Sequence, residues 1–550
     1  MSLFSSANLS LGEKNRLKFG FVVFYTYFCQ LITKLPVKGT AMSVIDQKRI
    51  AKNTLLLYIR MGLIMLISLY TSRVVLDALG ETDQGIYATV AGIVMMFAFL
   101  SNTMSTACQR FYAYEMGRGD FEELKRVFSI CVTVFIGIAL IVVIFCETLG
   151  LYFLYDKIKT DGRMNAALWV FQCAILSFVF TILRSPFQGM IIIKEKMKVF
   201  TYISVVEALG NLAIALLIAH SSNDRLILYG ILMLVLNALV SLYYIVYCVH
   251  FYGECRYRFC WDKGKFGEIF SFAGWNMIGS LASVCKSQGL TILLNIFFGN
   301  AVVAARAMAY KVYSTIQQFA DSFFNAIRPQ IMKSYSSGER EGMFKLVYQS
   351  SKFSYFLLFA VSLPLLLETP LILDIWLKDV PEGTIIFTRL VIINALIDVL
   401  TSPLATAMNA QGEVKWYYII CGGILLLILP ISALFLKLGY PPSSVFWVSI
   451  VVSLFAVGVR VLLLKHYLKL SVSQYLTKVI VPICIVTISS SVIPLAGEWL
   501  IPTVTIRFFA VCLLAVVSVM ASVYLWGLTA SERKHALEFL RRKVHDRNKG

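Results

Sequence analysis

Apolar runs of about twenty residues recur along the whole chain, split by short polar stretches. That is the length an α-helix needs to cross a hydrocarbon core of about 30 Å. A β-barrel would instead show shorter strands of alternating polarity. Read from Met42, the pattern predicts fourteen spans: 54–76, 84–105, 127–153, 165–184, 199–219, 226–250, 267–297, 301–327, 352–376, 385–408, 416–437, 444–465, 477–497 and 504–527. Ahead of them, Phe19–Thr33 is a shorter aromatic-rich run between Lys18 and Lys34 with no small-residue cleavage site. It is a poor signal peptide. Residues 1–41 are expected to be an interfacial segment or an N-terminal extension, with Met42 opening a basic lead-in to the first span.

The polar stretches alternate in charge. One set carries Lys48, Arg49 and Lys52; Arg110, Arg118, Lys125 and Arg126; Lys194, Lys196 and Lys198; Arg256, Arg258, Lys263 and Lys265; Arg328, Lys333, Arg340 and Lys345; then Lys415, Lys465 and Lys469. The alternate loops are short and neutral or acidic, as at Glu81–Asp83 and Glu382, with Tyr155–Arg163 of mixed sign. Basic loops stay in the cytoplasm, and the basic tail from 528 to 550 falls on the same side. Both termini are therefore expected there.

A second pattern overlies the first. Gly80 pairs with Gly299, Asn102 with Asp321, Thr106 with Asn325, Gly119 with Gly338 and Asp120 with Glu339, all at one constant offset. Glu147-Thr148 is echoed by Glu368-Thr369, Ser185-Pro186 by Ser402-Pro403 and Lys198 by Lys415 at nearly the same spacing. Six spans are used twice. An even number returns the chain to its starting side, so the halves share one orientation. The predicted architecture is an all-α polytopic membrane protein. It has two six-helix lobes, 42–251 and 252–469, related by a pseudo-twofold along the membrane normal with any site between them. Two unpaired helices at 470–527 and the tail follow. The prolines of the Ser-Pro pairs, at inner helix ends, are expected to terminate or kink their helices.

Composition agrees: 58% of residues are hydrophobic and 15% charged, against about 25% charged in soluble domains. The net charge of +19 is accounted for by loop topology and does not call for nucleic acid. Twelve cysteines are scattered without metal-ligand spacing, and no outer loop holds a pair, so neither zinc nor structural disulfides are expected. The five histidines pair with no nucleophile at a recognisable spacing, and no GxxxxGK[ST] loop is present. The chain is not expected to be an enzyme, to bind a metal or to need a cofactor beyond an ion gradient.

Charges inside a bilayer are costly, about 2.5–3.5 kcal/mol each on insertion scales, and usually face a cavity or a partner. The predicted spans contain Arg60, Arg73, Lys286, Arg306, Lys311 and Arg389 against Glu207, Asp321 and Asp398. The interior is net cationic. In the eighth span Lys311, Ser314, Thr315, Gln318, Asp321 and Asn325 share one face at 100° per residue, and such a stripe must meet protein or water. Arg60, Lys286, Arg306, Lys311, Gln318 and Arg389 are the candidate substrate-binding residues. Arg306 and Arg389, near outer helix ends, are alternatively snorkelling side chains. Arg73, four residues before Asp77, reads most simply as an interfacial ion pair or a snorkelling side chain. Glu207, Asp321 and Asp398 are candidate proton or sodium sites, or else partners of nearby cations such as Lys311 or Arg328.

The stretch from Asn53 to Gly119 resembles the opening of the Wzx-like O-antigen and polysaccharide flippases, a branch of the multidrug/oligosaccharidyl-lipid/polysaccharide exporter superfamily. Asn53-Thr54, Tyr58, Arg60, Leu69-Tyr70, Arg73, Leu79-Gly80, Gly85-Ile86-Tyr87, Gln109-Arg110-Phe111 and Gly117–Asp120 carry the resemblance. It implies a carrier in the bacterial inner membrane whose lobes rock around a central cavity. The implied cargo is a polyprenyl-diphosphate-linked glycan, and the implied partners are a glycan polymerase and a chain-length regulator. A diphosphate and an acidic glycan would suit a cationic cavity. A multidrug exporter of the same superfamily would want an acidic, aromatic pocket. A lipid II flippase has nearly the same cargo chemistry. A membrane-embedded polymerase or ligase would carry larger outer loops.

Overall fold

The computed structural model describes residues 44–533 except Glu195, Trp261, 412–414, 502–503 and Ser531. The segment 1–41 and most of the basic tail lie outside the described residues. Every regular element among the described residues is a helix. In chain order these are α1 (Val44–Met95), α2 (Ala98–Arg118), α3 (Phe121–Asp156), α4 (Met164–Ile193), α5 (Met197–Ala219), α6 (Arg225–Phe251), α7 (263–298) and α8 (Asn300–Ser336). They continue as α9 (Arg340–Leu367), the short α10 (Thr369–Trp376), α11 (Thr384–Gln411), α12 (Lys415–Lys437), α13 (Ser444–Leu468), α14 (Val472–Leu500) and α15 (504–527).

Twelve helices among the described residues are long and apolar enough to cross a membrane. The protein is a multi-pass membrane protein. The expected fourteen spans exceed this number at two places. The first two share the stretch α1, which Gly80 (φ 75°, ψ 175°) divides into two helices. The eighth coincides with α8, whose polar stripe lowers its hydropathy, and α8 is not one of the twelve.

The duplication is written in the backbone. Gly80 and its repeat partner Gly299 (φ 93°, ψ −166°) sit between paired helices, in a region of φ/ψ space open essentially to glycine alone. Gly119 and Gly338 cap α2 and α8 at φ 74° and 77°, the left-handed close of a helix. Asp120 and Glu339 follow as the N-cap residues of α3 and α9, and the Asp120 carboxylate accepts from the Glu123 N–H at 3.0 Å.

The Ser-Pro echoes part company. The helix breaks at Val399–Leu400, just ahead of Pro403, but runs through Pro186 to Ile193. Of the two expectations for this proline, termination does not hold: Pro186 is buried in the N-lobe interior and α4 continues past it.

Each lobe has its own core. Phe128, Phe135, Phe171 and Tyr112 fill the N-lobe, while Phe356, Leu404, Tyr417 and Leu464 lie in the C-lobe. The unpaired helices join the C-lobe core through Tyr475, Val486, Ala515 and Val519. Gly527 lies so close to Phe356 that an added Cβ would come within 2.8 Å of the ring. Arg507 of α15 donates to the Glu368 carboxylate at 3.1 Å, so one acid of the Glu-Thr echo anchors this appendix.

The lobes meet along α1 and α8, and along α2 and α7. At the expected outer ends the mixed-charge loop 157–163 reaches across. The Lys159 N–H donates to Asn295 Oδ1 at 2.9 Å, and Asn300 Nδ2 donates to the Lys159 carbonyl at 2.9 Å and to Asp161 at 2.7 Å. Arg163 bridges Asp83 and Asp224 at 2.7 Å each. A Cβ on Gly85 would overlap the Asn300 backbone, so glycine sets how closely these ends approach.

Candidate functional site

The strongest polar cluster forms inside the C-lobe. Midway along α7 the chain widens into a π-turn at Cys285–Gly289. Such turns insert one extra residue and recur at functional sites. This one carries Lys286. Its ammonium donates to Ser453 Oγ at 2.9 Å and to Asp398 Oδ2 at 3.3 Å. The same carboxylate oxygen accepts from Asn394 Nδ2 at 2.7 Å and from the Tyr313 hydroxyl at 3.3 Å. Asp398 is placed by the break that ends the first segment of α11. Lys286, Asp398, Asn394 and Tyr313 line a cavity of about 470 Å³ and mixed polarity between α7, α8, α11, α12 and α13.

Arg306 is neither snorkelling nor free. It is 4% exposed, donates to Thr291 Oγ1 and to the Ser287 carbonyl, and covers the Tyr310 ring at 4.0 Å. It clamps α8 to the π-turn that presents Lys286. Arg389 donates to the Leu366 carbonyl at 3.1 Å, joining α11 to the end of α9. Glu207 pairs with Arg184 at 3.3 Å inside the N-lobe. Lys311 is half-buried on α8. Asp321 accepts from Gln317 at 3.5 Å, with Arg328 as its nearby cation, and does not pair with Lys311. Gln318 and Asp321 are exposed. The Arg60 side chain lies outside the described residues.

Arg73 does not pair with Asp77. Its Nη1 donates to the Ile375 carbonyl of α10, while Asp77 takes Lys378 at 3.1 Å. Both contacts cross from the N-lobe to the C-lobe, and Trp376 adds a third by donating to the Leu69 carbonyl at 2.8 Å. A partner on the other lobe outcompetes the neighbour one turn away.

Sequence inspection passed over Arg184 and Arg460. Arg460 stands alone in the apolar run Val459–Leu464 of α13 and lines the cavity that holds Lys286. That isolation was the available signal.

A second space lies at the seam. It measures about 1080 Å³ and is almost wholly apolar, bounded by Met65 and Leu69 of α1, Val312 and Ile316 of α8, Leu365 of α9, and Phe509 of α15. Arg73 closes one end of it as the only charged residue lining it among the described residues. The two spaces differ in kind: one suits hydrocarbon, the other polar groups.

The sequence model described as "Polysaccharide biosynthesis protein" matches residues 50–334, just over half of the chain. The chain belongs to the polysaccharide biosynthesis protein family. No curated protein sequence matches this family member. Solved structures share its fold. One described as "Lipid II flippase MurJ, inward closed conformation" is 13% identical at a TM-score of 0.66, covering 86% of this chain and 98% of that one. The MATE multidrug transporter DinF-BH is 15% identical at 0.58, covering 75% and 95%. An inward-facing MATE transporter of the MOP superfamily is 12% identical at 0.52, covering 80% and 97%. The polysaccharide biosynthesis family member thus shares the fold of these structures, with the two lobes expected from its duplication.

Proposed function

We propose that the protein is a flippase. It carries polyprenyl-diphosphate-linked oligosaccharide units across the bacterial inner membrane, for O-antigen, capsule or exopolysaccharide assembly, by alternating access between its lobes. The observation that carries this reading is the apolar seam of about 1080 Å³ bounded by α1, α8, α9 and α15 beside a polar interior. A cargo with a long hydrocarbon tail and a hydrophilic head needs both at once. A drug-sized organic cation needs no such hydrocarbon seam, and it would meet Arg460 and a carboxylate already taken by Lys286 where it wants free carboxylates. The family match supports the polysaccharide assignment. Both termini would face the cytoplasm, and a polymerase would take up the product.

Ion coupling would fall to Glu207 or Asp398. Each faces a fixed cation, Arg184 or Lys286, so proton uptake by either acid would release that cation to another anion.

Reconstitution into vesicles tests the proposal. Polyprenyl-diphosphate-linked oligosaccharide placed in one leaflet should become accessible to a glycan-cleaving enzyme on the other side, faster than in protein-free vesicles. Equal rates would sink the reading. Preferential movement of lipid II, or of a cationic dye alone, would replace it.

A further inference from the structure

The C-lobe cavity carries more than the Lys286–Asp398 pair uses. Three buried side-chain atoms around it have no hydrogen-bond partner: Asn394 Oδ1, Gln317 Oε1 and Arg460 Nε. Asn394 is 7% exposed. Buried polar groups are nearly always satisfied, so three orphans around one space point to something that fills it. They comprise two acceptors and one donor.

Charge narrows the choice. Lys286 is neutralised by Asp398. Arg460 makes no salt bridge among the described residues; it hydrogen-bonds Tyr417 and Cys421 and lies beside Tyr418, all of them neutral side chains. A guanidinium drawn into a cavity with no carboxylate partner marks a place where an anion belongs. Guanidinium forks match carboxylates two bonds at a time. The acceptors Asn394 Oδ1 and Gln317 Oε1 would repel a bare anion but take hydroxyl donors. Tyr313 and Tyr418 add aromatic rings to the lining, a surface against which the C–H face of a pyranose can pack. The volume, about 470 Å³, falls within the range of about 300–1,000 Å³ usual for ligand pockets.

We infer that this cavity is a subsite for one carboxylate-bearing sugar of the translocated glycan, with Arg460 holding the carboxylate and Asn394 and Gln317 meeting the ring hydroxyls. The inference rests on the flippase reading and makes the cargo a glycan that contains a uronic acid or a comparable acidic sugar. Arg460 then selects cargo by charge.

The test uses the full chain in lipid nanodiscs. Methyl glucuronide, methyl glucoside and acetate are compared as probes by saturation-transfer NMR, with undecaprenyl diphosphate binding measured in parallel. The glucuronide should bind at least tenfold more tightly than the glucoside, and acetate should not reproduce it. Arg460→Gln should remove that preference, and Arg460→Lys should keep part of it. Equal binding of the two sugars overturns the inference. So does acetate binding as well as the glucuronide, which marks a small-anion site, or absence of binding, which marks a cavity filled by water alone. If a variant fails to fold, the three-probe comparison on the unmodified protein still decides. Retained undecaprenyl diphosphate binding without the preference sinks the subsite alone; loss of both sinks the flippase reading too.

Discussion

The Lys286 ammonium lies 3.3 Å from the Asp398 carboxylate, joining α7 to α11 in the interior of the C-lobe. The two side chains are 12% and 22% exposed, so solvent screens them little. Removing one partner of a buried pair leaves a lone charge and costs about 3–5 kcal/mol, whereas replacing both with apolar groups is often neutral. Lys286→Met and Asp398→Leu should each lower the unfolding midpoint of the detergent-solubilised protein markedly, and the double variant should recover most of the loss. Additive losses would mean that the pair is not coupled.

Gly80 and Gly299 should respond alike to substitution. Each holds a backbone that other residues reach only at about 1–3 kcal/mol. Gly80→Ala and Gly299→Ala should each destabilise by about that amount. Gly62→Ala, on a helix with open space at the would-be Cβ, should instead stabilise by about 0.5–1 kcal/mol. Thermal unfolding of the three variants checks the contrast. A harmless alanine at either turn would undercut the shared geometry.

These glycines also show what a sequence can disclose. The apolar runs reported the helices because a bilayer demands about twenty residues of one polarity. The duplication reported two equal lobes because its turn glycines have no substitute. Side-chain partners were not legible. Arg73 had Asp77 one turn away, yet its partner is the Ile375 carbonyl. Only packing brings those residues together. Arg306 read as a candidate for the cavity or the interface but is spent clamping α8 to the π-turn. The π-turn itself was hidden, because an extra residue in a helix leaves no mark on the apolar pattern.

Gly85 offers a way to disturb the contact between lobes without touching either polar cluster. Its missing side chain lets α1 approach the Asn300 backbone. Gly85→Val should force these ends apart and raise labelling of an Asp161→Cys probe by an impermeant thiol reagent, while the protein stays folded. Unchanged labelling would show that the contact is already open most of the time.

The tail bears a pH-dependent tie. Burial pushes the Glu532 carboxyl up, but the Lys352 ammonium at 2.8 Å, the Thr529 N–H and Gln349 outweigh it and hold the carboxyl below its usual 4.5. A depressed carboxyl contributes stability that is fully present above its unfolded value and is lost as pH falls through the folded one. Protease cleavage after α15 should therefore rise as pH drops below about 4.5. Glu532→Gln should show raised cleavage already at neutral pH. A flat profile for the unmodified protein would refute the tie.

The turns at Gly80 and Gly299 leave no slack between the helices they connect. With a single residue between them, a tilt of one helix passes directly to the other. A tilt of α1 would therefore load the bonds that Trp376 and Lys378 make to it from the other lobe.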